Sequence, residues 1–556
     1  MEPGGAHGGR AALPAGAAAA RVLRVRAARR GERRARRCPA PGAPAAHRAR
    51  QGEPDPVQRL AGLRVSPAAA RAHPRLPVDP ARRRHHHHRA LEQGRGHRRG
   101  LRPVEGGGGV TSRRVAFATL GCRLNQVDSQ RLQAALEARG FSTVAFGAAA
   151  DVVVVNTCTV TARAEVSDRQ AIRRARRANP DARVVVTGCW AQTSADEVAR
   201  EAGVDLVVGN ADKERLPALL DEILEGPRPR APRVEVGDLR GARLADVDPR
   251  PRALGRSRAF LKIQDGCQHR CAFCIVPRAR GASRSLEPKL VADQVRLLVE
   301  AGRPEVTLTG IDLGHYGADL VPRTSLAALL RELVEIEGLR WLRLSSMLPA
   351  YFTEDVLDVL TGAPAIAPHF HLPLQSGSDR VLRAMRRPYS TAMYRSVVER
   401  LTRAIPMLGL GADVIAGFPG ETEEDAAATQ ALIEALPFTY LHVFPYSDRK
   451  GTEAAARPGH VDGKTVAGRA ARLRALGAAK AGAFRRALVG RTEDVLVLET
   501  RDRTTGSLVG LTGNYVEVVF GGPDALMRRV ARVRVARADA GVHGDLVADP
   551  QGGPSK

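Results

Sequence analysis

Short apolar runs alternate with helical patterns from residue 114 onward. Three runs rich in valine or other apolar residues have the length of buried strands, at residues 115–120, 152–155 and 184–187. Helical patterns separate them, near residues 129–139 and 163–177. Because alternating strands and helices are typical of a parallel sheet covered by helices, we predict a parallel α/β domain over residues 113–225.

A second alternation of strands and helices follows a linker that we place at residues 226–252. Six strand-like runs recur at intervals of roughly 30–40 residues, at residues 259–265, 305–310, 341–345, 369–374, 411–415 and 441–444. This pattern predicts an open (β/α)6 barrel over residues 253–486, ending in a basic helix at residues 464–486. The active residues of such a barrel lie at the carboxyl ends of its strands.

The pattern changes to alternating strands after Gly490. Five short runs are separated by turn residues, at residues 493–498, 506–511, 515–519, 527–535 and 544–547. They predict a small β-barrel over residues 487–548, followed by a tail at residues 549–556. Four arginines cluster on its fourth strand: Arg528, Arg529, Arg532 and Arg534. Small barrels with a basic face bind RNA, and the alternative is a module that only packs.

One cysteine follows each of the three N-terminal strand runs. Cys122, Cys158 and Cys189 stand just past the predicted strand ends, at the edge where open parallel sheets bind ligands. Three converging thiolates suit an iron–sulfur cluster or zinc, although structural zinc normally takes four ligands. The alternative is three unrelated buried cysteines. The repeated placement favours a cluster.

A tighter cysteine triad follows the first barrel strand. Cys267, Cys271 and Cys274 have the spacing C-x3-C-x2-C. Three ligands on one loop can hold three irons of a 4Fe–4S cube and leave the fourth iron open. Zinc loops instead favour paired C-x2-C motifs with two further ligands elsewhere. The spacing therefore favours an iron–sulfur cluster.

Composition separates the N-terminal segment from the rest of the chain. The chain has 556 residues and a net charge of +27, and residues 1–112 hold 24 arginines and 7 acidic residues. This extension, rich in alanine, arginine and proline, is predicted to be disordered because it cannot bury enough apolar surface. After Met1 the next methionine is Met347, yet an ordered pattern begins immediately after Val110. We therefore expect translation to begin near Val110 through a non-standard start codon, and residues 1–109 not to be translated.

Cysteine usage and hydropathy exclude two classes of protein. Seven cysteines in 556 residues are too few for a disulfide scaffold. No apolar run reaches the length of about 18 residues that a membrane helix needs. We expect a cytoplasmic protein with no membrane partner, and the moderate positive charge of residues 113–556 fits a nucleic-acid partner.

Several stretches resemble the radical S-adenosylmethionine methylthiotransferases, over residues 113–546. The matching stretches are residues 119–126, 156–161, 187–189 and 274–281, together with the C-x3-C-x2-C loop. The resemblance implies two 4Fe–4S clusters, one on each cysteine triad, and a C-terminal TRAM domain of OB-like type. It also implies that S-adenosylmethionine binds near Phe273, Gly310, Ser345, Gln375 and Gly417.

The reaction implied by this resemblance attaches a methylthio group to C2 of a modified adenosine. That C–H bond is neither acidic nor attached to a leaving group, so a radical is needed. By resemblance, the cluster on the Cys267 triad reduces S-adenosylmethionine to give a 5′-deoxyadenosyl radical. The cluster on the Cys122 triad would hold the sulfur, and a second S-adenosylmethionine would methylate it. The cofactors carry this reactivity and the protein positions them.

Residues 121–126, 308–317 and 442–452 look most like the branch that acts on N6-threonylcarbamoyladenosine at position 37 of tRNA. Alternative branches modify N6-isopentenyladenosine of tRNA or an aspartate of a ribosomal protein. An alternative of another class is a non-catalytic, metal-containing RNA-binding protein. The expected partners are the tRNA anticodon loop, an electron donor such as flavodoxin or ferredoxin, and a sulfur donor. Leu348 departs from the family pattern, which has a glutamate before Pro349.

Overall fold

The computed structural model describes residues 112–240 and 257–547, which all belong to one compact unit. The predicted disorder before residue 112, the expected start near Val110 and the tail at residues 549–556 lie outside the described residues. Among the described helices, none is both long and apolar enough to cross a membrane.

The N-terminal domain is a six-stranded sheet in which every pairing is parallel. Its strands are β1 (Arg114–Thr119), β2 (Ser142–Val144), β3 (Val152–Thr157), β4 (Arg183–Gly188), β5 (Leu206–Val208) and β6 (Arg233–Glu235). Its helices are α1 (Arg123–Glu137), α2 (Ala162–Ala178), α3 (Cys189–Thr193), α4 (Ala195–Ala199) and α5 (Leu216–Glu225). The spatial order of the strands is β2-β1-β3-β4-β5-β6.

The valine runs form central strands because both faces of this sheet are covered. Alternate residues of β3 point to opposite faces: Val153 packs in the layer that contains Ile172 of α2, and Val154 packs in the layer that contains Leu136 of α1. Continuous apolar runs are typical of parallel strands buried on both sides. The predicted parallel α/β domain is confirmed.

Three short strands of this sheet were not predicted from the sequence. β2, β5 and β6 have three residues each, too few for a recognisable period. β6 lies within residues 226–252, which we expected to be a linker, and it pairs in parallel with β5. Its sequence Arg233-Val234-Glu235 has one apolar residue, so its place at the sheet edge depends on the neighbouring strand.

The central domain contains strands β7 (Ala259–Lys262), β8 (Gln264–Asp265), β9 (Arg284–Ser285), β10 (Glu305–Thr309), β11 (Trp341–Leu344), β12 (His369–His371), β13 (Gly409–Ala416) and β14 (Tyr440–Pro445). Its helices are α6 (Val276–Arg280), α7 (Pro288–Glu300), α8 (Leu326–Leu333), α9 (Glu354–Gly362), α10 (Asp379–Ala384), α11 (Thr391–Ala404), α12 (Glu423–Ala435) and α13 (Gly463–Ala487). β7, β10 and β11 pair in parallel, and so do β12, β13 and β14. A parallel bridge between Leu342 of β11 and Ile366, three residues before β12, connects the two groups. This is the arrangement expected for an open six-stranded barrel.

The two outer strands of this barrel are β7 and β14. Within the described residues, each of them pairs with a strand on one side only. Helix α1 of the N-terminal domain packs against β7, and α13 packs against β14. A Cβ atom on Gly477 would lie 3.1 Å from Cβ of Leu441, so a glycine allows α13 to approach β14 closely.

The C-terminal domain is a closed barrel, as predicted. Its strands are β15 (Thr492–Arg501), β16 (Leu508–Thr512), β17 (Glu517–Phe520), β18 (Val530–Ala538) and β19 (Val542–Leu546). They close in the order β15-β16-β17-β19-β18. Val495, Val518, Phe520 and Val533 are among the residues that fill its interior.

Candidate active site

The structure brings the three N-terminal cysteines together at one edge of the parallel sheet. Cys122 caps the N-terminus of α1, Cys158 follows β3, and Cys189 begins α3. All three are buried. Burial raises the pKa of Cys158 well above its usual value, and the nearby Cys189 and Cys122 thiols raise it further. Mutually close thiols of this kind fit a metal or cluster, whose positive charge stabilises thiolates.

Two glycines set the approach of these cysteine-bearing turns. Gly121 has φ of +87°, and a Cβ atom there would lie 2.7 Å from Sγ of Cys158. Gly188 has φ of +100°, and a Cβ atom there would lie 2.4 Å from the carbonyl oxygen of Thr157. Only glycine accepts these conformations without strain and leaves room for the neighbouring turn.

The second cysteine triad lies on the loop between β8 and α6, and backbone hydrogen bonds hold this loop at several points. The Cys267 N–H donates to the Gly281 carbonyl at 3.0 Å. The Ala272 N–H donates to the Met385 carbonyl, and the Ala272 carbonyl accepts a hydrogen bond from the Ala454 N–H. The three cysteines therefore occupy a loop whose backbone is fixed by other parts of the barrel.

The surroundings of this triad act differently on its three thiols: a cation contacts Cys271, whereas burial disfavours free thiolates at Cys267 and Cys274. Arg387 Nη1 lies 3.1 Å from Cys271 Sγ. Burial raises the pKa of Cys274 to about 11, and burial together with Asp312 raises that of Cys267. A thiol with a raised pKa stays protonated at neutral pH unless a cation binds it. A bound metal ion or cluster would therefore be needed to keep these thiols ionised. The donor set fits a 4Fe–4S cluster.

A cavity joins the N-terminal triad to the barrel. Its walls include Cys122 and Arg123 from the N-terminal domain, Gly310 and Ser345 from barrel strand ends, and Tyr515 from the C-terminal barrel. The Gly310 N–H donates to Ser345 Oγ at 3.3 Å. Two of the five residues predicted to bind S-adenosylmethionine thus share one cavity with Cys122.

The other three predicted S-adenosylmethionine residues are not among the described residues that line this cavity. Phe273 packs beside the cluster of apolar residues that contains Phe418. Gln375 has φ of +64° and forms an isolated bridge with Val414. The Gly417 N–H donates to Glu421 Oε2 at 2.8 Å.

An arginine–tyrosine contact on the cavity wall, between Arg123 and Tyr515, is not indicated by the sequence. Arg123 Nη2 donates to the Tyr515 hydroxyl at 2.6 Å, and Arg258 Nη1 donates to the same oxygen at 3.3 Å. The Tyr515 ring stacks on His369 with a centroid separation of 4.3 Å. The Arg123 guanidinium also lies over the Phe260 ring. No local sequence signal predicts this contact, because its residues come from three domains.

A chain of polar side chains lines the barrel lumen beside the same cavity. Asp413 Oδ1 lies 3.0 Å from His371 Nε2 and 3.2 Å from His442 Nδ1. The Tyr440 hydroxyl lies 3.0 Å from His371 Nδ1 and 2.8 Å from His369 Nε2. Burial opposes ionisation of Asp413, but His371 and His442 outweigh it and lower its pKa. Alternate residues of a strand share a face. The two-residue spacing of His369 and His371 on β12, and of Tyr440 and His442 on β14, could therefore have indicated that these side chains point the same way.

A buried ionic network connects the N-terminal domain to the barrel. Asp128 of α1 accepts from Lys213, Lys262 and Arg280. Arg280 Nη1 donates to both carboxylate oxygens of Asp265, at 3.0 and 2.8 Å. Burial opposes ionisation of Asp128, but the three cations outweigh it and hold its pKa well below the usual value. Each buried charge therefore has an opposite charge in contact.

The four C-terminal arginines predicted to bind RNA are exposed. Arg532 and Arg534 alternate along β18 with buried Ala531, Val533 and Val535. Arg528 and Arg529 precede the strand.

At the position of the family glutamate, Leu348 packs against the barrel core, so an apolar contact takes the place of an acid.

Comparison with known proteins identifies the domains. Residues 114–209 match the family described as "Uncharacterized protein family UPF0004", and residues 261–433 match the radical SAM superfamily. Threonylcarbamoyladenosine tRNA methylthiotransferase MtaB of Bacillus subtilis is 40% identical over 76% of this chain and 94% of its own length. The Aquifex aeolicus protein of the same name is 41% identical over 73% and 96%.

A relative with a different named substrate is somewhat less similar. The tRNA-2-methylthio-N(6)-dimethylallyladenosine synthase of Moorella thermoacetica is 36% identical over 76% of this chain and 95% of its own length. The matches to these proteins extend over nearly their whole length, and both domain families are present in the order that the fold shows. The chain belongs to the radical S-adenosylmethionine family of tRNA methylthiotransferases.

Proposed function

We propose that this protein transfers a methylthio group to C2 of N6-threonylcarbamoyladenosine at position 37 of tRNA. The observation that carries the proposal is the shared cavity, in which Cys122 of one triad faces Gly310 and Ser345 at the strand ends of the radical S-adenosylmethionine domain. The higher identity to the two relatives named for threonylcarbamoyladenosine supports this substrate over the dimethylallyl one.

Each cysteine triad would hold one 4Fe–4S cluster. Cys267, Cys271 and Cys274 would hold the cluster that binds S-adenosylmethionine, and Cys122, Cys158 and Cys189 would hold the second. When bound, these groups supply one-electron chemistry and the sulfur, which the adenine C2–H bond requires because it offers no acidic proton and no leaving group.

The protein's own residues hold and shield this chemistry. Arg387 places a positive charge 3.1 Å from Cys271 Sγ and so stabilises a thiolate at that position. The Tyr351 hydroxyl donates to Asp312 at 3.2 Å and fixes this carboxylate beside Cys267. The N-terminal triad is buried, so water has little access to a cluster there. These residues position and enclose the reacting groups.

The exposed arginines of β18 support a tRNA substrate. Arg532 and Arg534 point away from the barrel interior, where they can contact phosphates of the RNA backbone. The modified adenosine would then enter the cavity at the junction of the three domains. An electron donor such as flavodoxin or ferredoxin, and a sulfur donor, would act on the protein in the cytoplasm.

The test compares modified nucleosides in bulk tRNA from a deletion strain and from the same strain carrying the gene. We expect the methylthio form of N6-threonylcarbamoyladenosine to disappear in the deletion strain and its precursor to accumulate. Loss of a different methylthio nucleoside would assign the chemistry to the isopentenyladenosine branch. If no nucleoside changes, the ribosomal protein becomes the substrate to examine.

A second measurement separates an enzyme from a metal-containing RNA-binding protein. Reduced protein is incubated with S-adenosylmethionine, and release of 5′-deoxyadenosine is measured. An enzyme of this family releases it. A protein that carries both clusters and releases none would be a binding protein only.

A further inference from the structure

We propose that Arg123 and Tyr515 form a binding subsite for the carboxylate of the threonylcarbamoyl group, which selects this substrate over adenosines with an apolar N6 substituent. The inference rests on the proposed function and goes beyond it by assigning the side chains that recognise the substituent. Arg123 comes from the N-terminal domain and Tyr515 from the C-terminal barrel, so the subsite exists only when both domains are in place.

The position of Arg123 matches the geometry of the substrate. It follows Cys122 directly, and both residues line the same cavity. In adenine, C2 and C6 flank the same ring nitrogen, so a substituent on N6 must lie within a few ångströms of C2. If C2 faces the sulfur held at the Cys122 triad, the N6 substituent lies against the neighbouring cavity wall.

The charges of this wall favour an anion. Among the described residues that line the cavity, Arg123 carries a fixed positive charge and none is an aspartate or glutamate. The nearby Asp413 is paired with two of the lining histidines, His371 and His442. Arg258 also reaches the Tyr515 hydroxyl, at 3.3 Å. The Tyr515 hydroxyl accepts from both guanidinium groups and so holds Arg123 on this wall.

The chemistry of the substituent explains the selectivity. The threonylcarbamoyl group ends in a carboxylate, with which arginine forms charge-assisted hydrogen bonds. An isopentenyl group would desolvate the guanidinium and give it no acceptor. One charge-assisted hydrogen bond in a buried site corresponds to roughly 10- to 100-fold in substrate preference.

The experiment measures this preference by competition. Two anticodon stem-loop RNAs, one with threonylcarbamoyladenosine and one with its neutral carboxamide, react in the same tube with the full-length enzyme containing both clusters. We expect the wild type to prefer the carboxylate by roughly 10- to 100-fold, and Arg123→Gln to lose most of this preference. Arg123→Lys, which keeps the charge, should retain part of it.

Controls separate recognition from damage to the adjacent cluster. Iron content is measured for every variant, and Arg139→Gln, an exposed position on the same domain, should keep the wild-type ratio. Tyr515→Phe leaves the cysteine turn intact and should reduce the preference by a smaller factor, so it tests the subsite even if Arg123→Gln loses iron.

Two outcomes would overturn the inference. The first is that Arg123→Gln keeps its iron and still shows the wild-type preference for the carboxylate RNA. The second applies if Arg123→Gln loses its iron: it is that Tyr515→Phe shows the wild-type preference. If the wild type modifies both RNAs equally, the inference fails and the proposed function stands. If the wild type modifies neither RNA but does modify one with isopentenyladenosine, the proposed function itself fails.

Discussion

Arg280 Nη2 lies 3.2 Å from Asp128 Oδ2, and this contact joins the helix that follows the second cysteine triad to the first helix of the N-terminal domain. The same guanidinium binds Asp265, two residues before Cys267, and Asn125, three residues after Cys122. One side chain therefore links the chain segments that carry the two cysteine triads.

Breaking this network should strongly destabilise the protein. Arg280→Met leaves Asp128 and Asp265 with fewer compensating charges in a buried site, and removing one partner of a buried ion pair costs about 3–5 kcal/mol. Unfolding by urea, followed by circular dichroism, measures the loss. The control is Arg400→Met, which breaks an exposed ion pair with Glu354. It should change the urea concentration at the unfolding midpoint little. Equal effects of the two variants would contradict the structural role of the network.

The contribution of Asp128 should not be lost across the neutral range. Its folded pKa lies below the unfolded value near 3.8, so its stabilisation is present above that value and is lost only as pH falls through the folded pKa. We expect the stability difference between wild type and Asp128→Asn not to shrink as the pH falls from 8 to 5, because Asp128 stays ionised and Lys213 depends on it as a counter-charge. A difference that shrinks already at pH 6 would show that Asp128 is not held ionised.

Filling the space beside the cysteine turns should impair the N-terminal site. In Gly121→Ala, the new Cβ atom would meet the Cys158 thiol, so we expect iron content to fall to about half if each triad holds one 4Fe–4S cluster. Gly140→Ala is a matched control, because Gly140 has nearly the same φ, +86°, with nothing within 4 Å of a Cβ atom. Iron loss in both variants would point to backbone strain rather than to a clash.

The two cysteine triads should be separable by their products. Cys271→Ala should abolish both the cleavage of S-adenosylmethionine and the formation of methylthio product, since a ligand of the reducing cluster is lost. Cys158→Ala should still release 5′-deoxyadenosine but give no methylthio product. Mass spectrometry of both products checks this. A fully active Cys158→Ala enzyme would refute the assignment of the sulfur-holding site.

The β18 arginines should act on tRNA affinity and not on the choice of substrate. If Arg532 and Arg534 contact phosphates, replacing both with alanine should weaken binding of modified and unmodified tRNA alike. The slope of log affinity against log salt should decrease by about two, since each contact contributes about 0.9 for a helical RNA treated like duplex DNA. Filter binding at several salt concentrations measures it. An unchanged slope would remove these side chains from the RNA interface.

The sequence predicted the parts of the fold that depend on local patterns. Apolar runs of strand length located β1, β3 and β4, and the glycine–cysteine turns after β1 and β4 located the site. β2, β5 and β6 were not predicted because three residues carry no period. The strand expected at residues 369–374 ends its regular pairing at His371, although Leu372 and Leu374 still donate to β13.

Parts of the candidate site that depend on domain docking could not be predicted. Arg123, Arg258 and Tyr515 lie far apart in the sequence, and their meeting requires the three domains to pack first. The Cys267 triad could be recognised from its local spacing, and the Cys122 triad because each of its cysteines follows a predicted strand. Arg280 lay in a stretch that resembles the family, but its buried partners Asp128 and Asn125 belong to another domain.

Within residues 112–240 and 257–547, the open barrel leaves β7 and β14 each with one unpaired edge, and helices of the same chain pack against both strands. Exposed strand edges pair readily with other chains and so promote aggregation. Because α1 lies against β7 and α13 lies against β14, we expect the N-terminal domain to hinder pairing of the β7 edge with a second barrel. A barrel produced without that domain would present the β7 edge to solvent, and we expect it to collect in inclusion bodies while the full-length protein remains soluble.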